Sequence, residues 1–175
     1  MKSYLIGILA ISFSYTNLIS AQESTENVGF KKHELGINHY YSNGRYKPGI
    51  QYFYNLNPNR SLGFELSGFY HNLANNQFVF NSEFSLQYRL RKSLTPGLSA
   101  YFAPTVGYNY FGGNIDNQNY NIHKIGLGVN AGLEYDFSNN GVPIIIGGGL
   151  RTMGYYGAGR FSLGLAPNIS LRFKF

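Results

Sequence analysis

The stretch RFSLGLAPNISLRFKF, residues 160–175, alternates between apolar and small or polar side chains. One face carries Phe161, Leu163, Leu165, Pro167, Ile169, Leu171, Phe173 and Phe175. The other face carries Arg160, Ser162, Gly164, Ala166, Asn168, Ser170, Arg172 and Lys174. A period of two is that of a β-strand, whose successive side chains point to opposite faces. This stretch therefore predicts a long strand with one uncharged apolar face.

The same period recurs upstream, and it predicts eight strands in all. They cover residues 35–41, 50–56, 62–70, 78–91, 98–110, 124–137, 144–152 and 160–175. Segments rich in Asn, Gly, Pro and Ser separate them and are typical of turns. Residues 57–60, 91–97 and 138–141 predict tight turns at one end, and residues 42–48, 71–77, 112–121 and 154–159 predict the connections at the other end.

Composition sets the limits on the class of protein. The 175 residues are 43% hydrophobic and 17% aromatic but only 13% charged, against about 25% in an ordinary soluble domain. So few charges cannot coat a water-soluble surface. The absence of cysteine excludes a disulfide framework, a thiol nucleophile and cysteine-based metal sites. The length suits a single domain.

Residues 1–21 have the layout of a secretory signal peptide. Lys2 precedes an apolar run over residues 5–13, and Ala21 stands before a polar segment. We expect cleavage near Ala21, which removes one of 14 basic residues and leaves a net charge of +5 against the 8 acidic ones. A short segment, 22–29, would then precede a barrel domain over 30–175. No basic run favours nucleic acid as a partner.

The polar face of the strands indicates where the apolar face points. It consists mostly of Gly, Ser, Ala and Asn, which suits a narrow interior filled by side chains. The apolar faces of the second to eighth strands carry no charge, and Tyr and Phe gather toward strand ends, as in the aromatic girdles of membrane barrels. Because hydrocarbon leaves no backbone group unpaired, such a sheet must close on itself. The sequence thus predicts an all-β, antiparallel, up-and-down transmembrane β-barrel, with a soluble secreted barrel as the alternative.

These features together resemble a known family. A signal peptide, eight amphipathic strands and a last strand ending in phenylalanine are similar to small bacterial outer-membrane β-barrels of the OmpA/OmpX-like, porin-like class. The resemblance implies an outer-membrane location, contact with membrane lipid and lipopolysaccharide, and recognition by the barrel-assembly machinery. The positions matching the assembly signal are Ile169, Leu171, Phe173 and Phe175. The Asn- and Tyr-rich composition is similar to outer-membrane proteins of Bacteroidota.

The inward face of the predicted barrel carries charges of both signs. They are Glu65, Glu83, Arg89, Glu134, Asp136, Arg151 and Arg172, with Lys124 and Arg160 nearer one rim. An eight-stranded barrel is too narrow for an open aqueous channel, so we expect these charges to pair across the lumen and fill it. A narrow pore, or a component of a transport complex, is the alternative use of the same residues.

One enzyme hypothesis rests on His39 and Ser42, near the end of the first strand. A His near a Ser resembles the lipid A deacylases, barrel enzymes that use a His, a Ser and a Glu on the lipid-facing rim. In that family the Ser follows the His by two residues, whereas Ser42 follows His39 by three and has the opposite parity. Glu65 stands at a strand position whose side chain is predicted to point into the lumen, away from an outward His39. The sequence therefore favours a protein without catalysis, and keeps the deacylase-like hydrolase as an alternative.

No cofactor or metal site is predicted. The run Gly147-Gly148-Gly149 lies within a strand and lacks the lysine of a phosphate loop, and His33, His39, His71 and His123 have no ligand spacing. The predicted outer connections carry basic and aromatic residues that could contact lipopolysaccharide or a surface protein. These are Arg45, Tyr46, Lys47, Tyr120, Tyr155 and Tyr156. The overall prediction is a structural or surface-interaction role.

Overall fold

A computed structural model of the chain describes residues 31–42, 45–73, 77–116 and 118–175. The predicted signal peptide, 1–21, and the segment 22–29 lie outside the described residues. The strands are β1 His33–Ser42, β2 Arg45–Asn57, β3 Arg60–Asn72, β4 Phe78–Thr95, β5 Leu98–Ile115, β6 Gln118–Asp136, β7 Ile144–Gly157 and β8 Arg160–Lys174.

The eight strands form one closed antiparallel barrel in sequence order. β8 closes the barrel against β1, with pairs running from Glu34 and Lys174 to Tyr40 and Asn168. This confirms the predicted up-and-down topology. We call the end that holds the start of β1 and the end of β8 the terminal end. The opposite end, where β1 ends and β2 begins and where β7 ends and β8 begins, is called the mouth.

Most strands are longer at the mouth than the sequence predicts. The predicted connections 42–48, 112–121 and 154–159 shrink to two residues each, because paired strands continue through them. Tyr41 pairs with Tyr46, and Asn114 pairs with Asn119. The alternating pattern identifies only the part of a strand that has one apolar and one polar face. Beyond it, both faces of a hairpin can be polar, and the pattern gives no sign of the strand.

The barrel buries polar side chains in its interior and exposes apolar side chains on its outer wall. Among the described residues, 19 polar or charged side chains are buried against 8 apolar ones. Arg172 and Glu34 are completely buried, whereas Leu163 and Phe161 are 70% exposed on the outer wall. The period-two faces predicted from the sequence are therefore assigned correctly, with the polar face inward.

Small residues of the inner face make room for large ones. A Cβ at Gly63 on β3 would overlap the ring of Phe53, which is fully buried inside the barrel. At the terminal end, Gly97 takes a positive φ of 81° in the short turn between β4 and β5. A four-residue 3-10 turn, Phe137–Asn140, follows β6. In the described ranges, no helix is long and apolar enough to cross a membrane.

Candidate functional site

The half of the lumen toward the terminal end holds a cluster of five buried charges, which we call the lower cluster. Glu34 and Glu134 are each shared by arginines: Arg91 lies 2.8 Å from Glu34 and 2.6 Å from Glu134. Arg172 lies 3.0 Å from Glu34 and 2.5 Å from Glu134. Arg89 lies 3.5 Å from Glu134. Because each carboxylate bridges two or more guanidinium groups, the cluster ties β1, β4, β6 and β8 together across the barrel.

An aromatic ring completes this layer of the lumen. The Arg89 guanidinium lies 3.7 Å from the centre of the Phe53 ring, and that of Arg172 lies 5.6 Å from it. Tyr101 contacts Arg89 from another side, at 4.9 Å. The lower cluster has three cations and two carboxylates, and the ring faces add cation–π attraction to the two arginines that they contact.

A second group of charges, the upper cluster, lies nearer the mouth. Arg151 pairs with Glu65 at 2.9 Å and also with Glu83. Lys47 pairs with Glu83 at 2.5 Å. The Tyr40 hydroxyl donates to Glu65 at 2.6 Å, and Gln87 donates to the same carboxylate. Here two cations balance two carboxylates, so the upper cluster is neutral.

Above the upper cluster the barrel opens into a cavity of about 450 Å³, the mouth cavity. Its wall is basic and aromatic, and Glu83 is the carboxylate that lines it. Its charged and aromatic lining includes Arg45, Lys47, Lys124, Arg151, Phe69 and Tyr155. No ion pair involves Arg45 or Lys124 within the described ranges. The mouth cavity can therefore accept an anionic ligand.

The structure places all six charges of the predicted lumen network inside the barrel. Glu65, Glu83, Arg89, Glu134, Arg151 and Arg172 are each buried. Asp136 lies at the terminal end, 2.5 Å from Lys174. Three members of the clusters were not predicted: Glu34, Arg91 and Lys47. The alternation in the sequence assigns Glu34 and Arg91 to the inward face, but Glu34 precedes the predicted start of the first strand.

The residues of the enzyme hypothesis lie on different sides of the barrel wall. His39 is exposed on the outer wall, while Ser42 lines the mouth cavity. Glu65 is buried in the upper cluster. A hydroxyl, an imidazole and a carboxylate separated in this way do not form a hydrogen-bonded triad.

The six residues predicted to lie in outer connections lie in strands instead. Arg45, Tyr46 and Lys47 begin β2, Tyr120 belongs to β6, and Tyr155 and Tyr156 belong to β7. Lys47 and Tyr155 point into the mouth cavity rather than outward. Tyr46 and Tyr156 lie on the outer wall, where they are 71% and 65% exposed. The prediction of loops here was wrong because the hairpins continue past the apolar pattern.

Of the residues matching the assembly signal, Ile169, Leu171 and Phe173 lie on β8, and Phe175 directly follows it. Ile169, Phe173 and Phe175 are 50% or more exposed. The Gly147-Gly148-Gly149 run lies inside β7, and a Cβ at Gly149 would meet the Tyr101 hydroxyl. In the part of the chain that the structure describes, no three His, Asp or Glu side chains gather in a way that could hold a metal ion.

Comparison with solved structures shows the fold. The chain is similar to the N-terminal barrel domain of Pseudomonas aeruginosa OprF, with 17% identity, a TM-score of 0.66, and 82% of this chain and 96% of that one covered. It is similar to Neisserial surface protein A, with 13% identity, a TM-score of 0.61, and coverage of 82% and 94%. It is also similar to Yersinia pestis Ail in complex with the heparin analogue sucrose octasulfate, with 10% identity, a TM-score of 0.55, and coverage of 81% and 95%.

No protein-family model matches the chain, and no curated protein matches it in sequence. The structural matches therefore stand alone, and they establish the eight-stranded barrel fold of small outer-membrane proteins.

Proposed function

We propose that this eight-stranded barrel is an integral protein of the bacterial outer membrane with a structural or surface-interaction role and no catalysis. The proposal rests on the inverted distribution of polarity: Arg172 is fully buried, and Leu163 is 70% exposed. In water, an outer wall of this kind would be a large apolar patch. In a bilayer it is the expected lipid-facing surface.

The proposal includes the route to the membrane. Residues 1–21 act as a signal peptide that is cleaved after Ala21, and the terminal end faces the periplasm. The alternating apolar positions that end in Phe175 serve as the signal for the barrel-assembly machinery. The Asn- and Tyr-rich composition supports a host among the Bacteroidota.

The lumen acts as a rigid frame rather than as a channel. The lower cluster ties four strands together with five buried charges and the Phe53 ring. The upper cluster adds a second layer. Since eight strands enclose little more than their own side chains, two such layers leave the barrel closed to solutes.

The surface role is assigned to the mouth. Its cavity has a basic and aromatic lining, which suits phosphorylated or sulfated sugars such as those of lipopolysaccharide, or an acidic surface of a protein partner. The complex of Ail with sucrose octasulfate supports anionic ligands for a barrel of this fold.

Reconstitution into planar bilayers tests the proposal. We expect the purified barrel to insert, to migrate faster on gels before boiling than after, and to give no steady single-channel current. Lipid A from cells with and without the protein should have the same mass spectrum. Steady channels would favour the pore, and a mass shift abolished by His39→Ala would favour the deacylase-like enzyme.

A further inference from the structure

The backbone pairing between β2 and β3 stops short of the mouth. The paired positions of these strands end at Gly49 and Ser67. Residues 45–48 of β2 continue to pair with β1, and residues 68–72 of β3 continue to pair with β4. The two strand segments thus border a gap, which we call the β2–β3 gap.

Pro48 explains why the pairing ends there. The backbone N–H of Asn55 donates to the carbonyl oxygen of Lys32. The backbone N–H groups of odd-numbered β2 residues therefore point toward β1. In an antiparallel sheet these directions alternate, so the even-numbered positions face β3. Position 48 is one of them and has no N–H to donate to β3, because it is proline. The sequence itself therefore interrupts the ladder at this point.

Cavities on the two sides of the wall meet at the gap. Phe69 and Asn81 line the mouth cavity, and they also line a groove of about 540 Å³ on the outer wall. The residues that line the outer groove come from β1 to β4, and most of the large ones are apolar. They include Ile37, Ile50, Leu66, Tyr70 and Phe80, together with His39, Pro48, Gly68 and Ser82. The gap thus joins a basic interior to an apolar exterior.

Several polar groups at the gap and in the mouth cavity have no ion pair or hydrogen bond among the described residues. The Arg45 guanidinium lies 5.2 Å from the centre of the Phe69 ring, and no carboxylate is paired with it in the described ranges. Lys124 lines the same cavity without an ion pair there. Asn38 Oδ1 and Ser67 Oγ are buried beside the groove and have no hydrogen-bond partner in the part of the chain that the structure describes. Buried polar groups without partners are costly, so a ligand with polar atoms is expected on the lumen side of this position.

We infer that the β2–β3 gap binds a lipid with an anionic phosphorylated headgroup. The phosphate lies in the mouth cavity beside Arg45 and Lys124, and an acyl chain leaves through the gap into the outer groove. This inference rests on the membrane location proposed above. A lipid matches both sides of the wall at once, because its charge complements the mouth and its chain suits a groove that faces hydrocarbon.

Lipid retention in nanodiscs tests the inference. The barrel is reconstituted in phosphatidylcholine nanodiscs containing a small fraction of phosphatidic acid, and bound lipid is counted by native mass spectrometry. We expect phosphatidic acid to be retained in preference to phosphatidylcholine. The double variant Arg45→Gln/Lys124→Gln should weaken that retention roughly tenfold or more, since two charge-assisted contacts are lost. The matched control Lys32→Gln/Lys92→Gln removes two exposed cations from the terminal end and should change nothing.

Two further variants test the outer half of the site. Ser82→Leu fills the groove and should reduce retention, whereas Ala131→Leu, on the outer wall of β6 away from the groove, should not. Pro48→Val restores the missing N–H, extends the β2–β3 ladder, and should also reduce retention. Gel migration before boiling verifies that each variant is folded.

Other results would overturn the inference. Equal retention of phosphatidic acid and the zwitterionic phosphatidylcholine, or a loss that the control variants share, contradicts a site for an anionic phosphorylated headgroup. Full displacement by millimolar inorganic phosphate would indicate a site for free phosphate instead of lipid. A barrel that does not enter the nanodisc contradicts the membrane location itself, whereas one that enters but retains no phosphatidic acid contradicts the lipid site alone.

Discussion

At the scale of single residues, the buried charges of the lumen depend on their partners. A charge removed from water loses several kcal/mol of hydration, and only close counter-charges and hydrogen bonds offset that loss. Glu134 illustrates the point, because Arg89, Arg91 and Arg172 all lie within 3.5 Å of it. Removing one partner leaves the others uncompensated.

Glu134→Ala should therefore destabilise the barrel by about 3–5 kcal/mol. Urea unfolding in lipid vesicles measures the loss. Lys92→Ala, at an exposed position of the terminal end, is the control and should change stability by less than about 0.5 kcal/mol. Equal stability of the two variants would contradict the account of the lower cluster.

The ring of Phe53 should matter more than an aromatic ring on the outer wall. Phe53 is fully buried against Arg89 and Arg172, so Phe53→Ala leaves a cavity and should cost about 3–5 kcal/mol. Phe64 is 44% exposed on the outer face of β3, where lipid can fill the space after Phe64→Ala. The same unfolding experiment compares them, and a larger loss for Phe64→Ala would show that the two faces are assigned the wrong way round.

At the scale of strands, the sequence predicts the middle of each element better than its ends. The parity of β8 assigns Leu163 and Arg172 to the correct faces, because lipid and lumen impose opposite polarity on alternate residues. The start of β2 was missed because residues 45–48 alternate over only four positions, between the turn-like pairs Asn43-Gly44 and Pro48-Gly49. For the same reason Pro48 was placed in a connection, and the β2–β3 gap could not be foreseen from pattern alone.

Prediction from sequence also fails for the partners within the lumen. The parity of Glu65 and Arg151 shows that both point inward, but not that they pair, because β3 and β7 are not adjacent in the sheet. Contacts across a barrel depend on the number and tilt of its strands. Only the closed structure provides that geometry.

The end of β8 should affect assembly rather than stability. Phe175→Ser changes the last apolar position of the proposed assembly signal, and we expect less folded barrel in the outer membrane of cells. Protein refolded from urea into vesicles should keep its unfolding free energy to within about 1 kcal/mol. Phe161→Ser is the control, since Phe161 is an exposed aromatic residue at the other end of the same strand. Equal membrane levels of the two variants would contradict the assembly signal.

At the scale of the whole molecule, the low charge content follows from the architecture. Only 13% of the residues are charged, and many of them pair inside the barrel instead of coating its surface. The outer wall therefore consists almost entirely of apolar side chains. This apolar outer wall suits the hydrocarbon of a bilayer. The closed sheet and the buried ion clusters keep polar groups away from that wall, and the mouth is left for the proposed surface role.

The most direct test of this account is a spin-label scan of β8 in lipid vesicles. The chain has no cysteine, so single cysteines at residues 162–171 can be labelled without background. We expect a period of two, in which oxygen dissolved in the bilayer reaches labels at Leu163, Leu165 and Ile169. A water-soluble nickel chelate should reach Ser162 and Gly164, which line the mouth cavity, but not those positions. Chelate access to the odd-numbered positions, or no alternation at all, would contradict the claim that this barrel spans a membrane with its polar face inward.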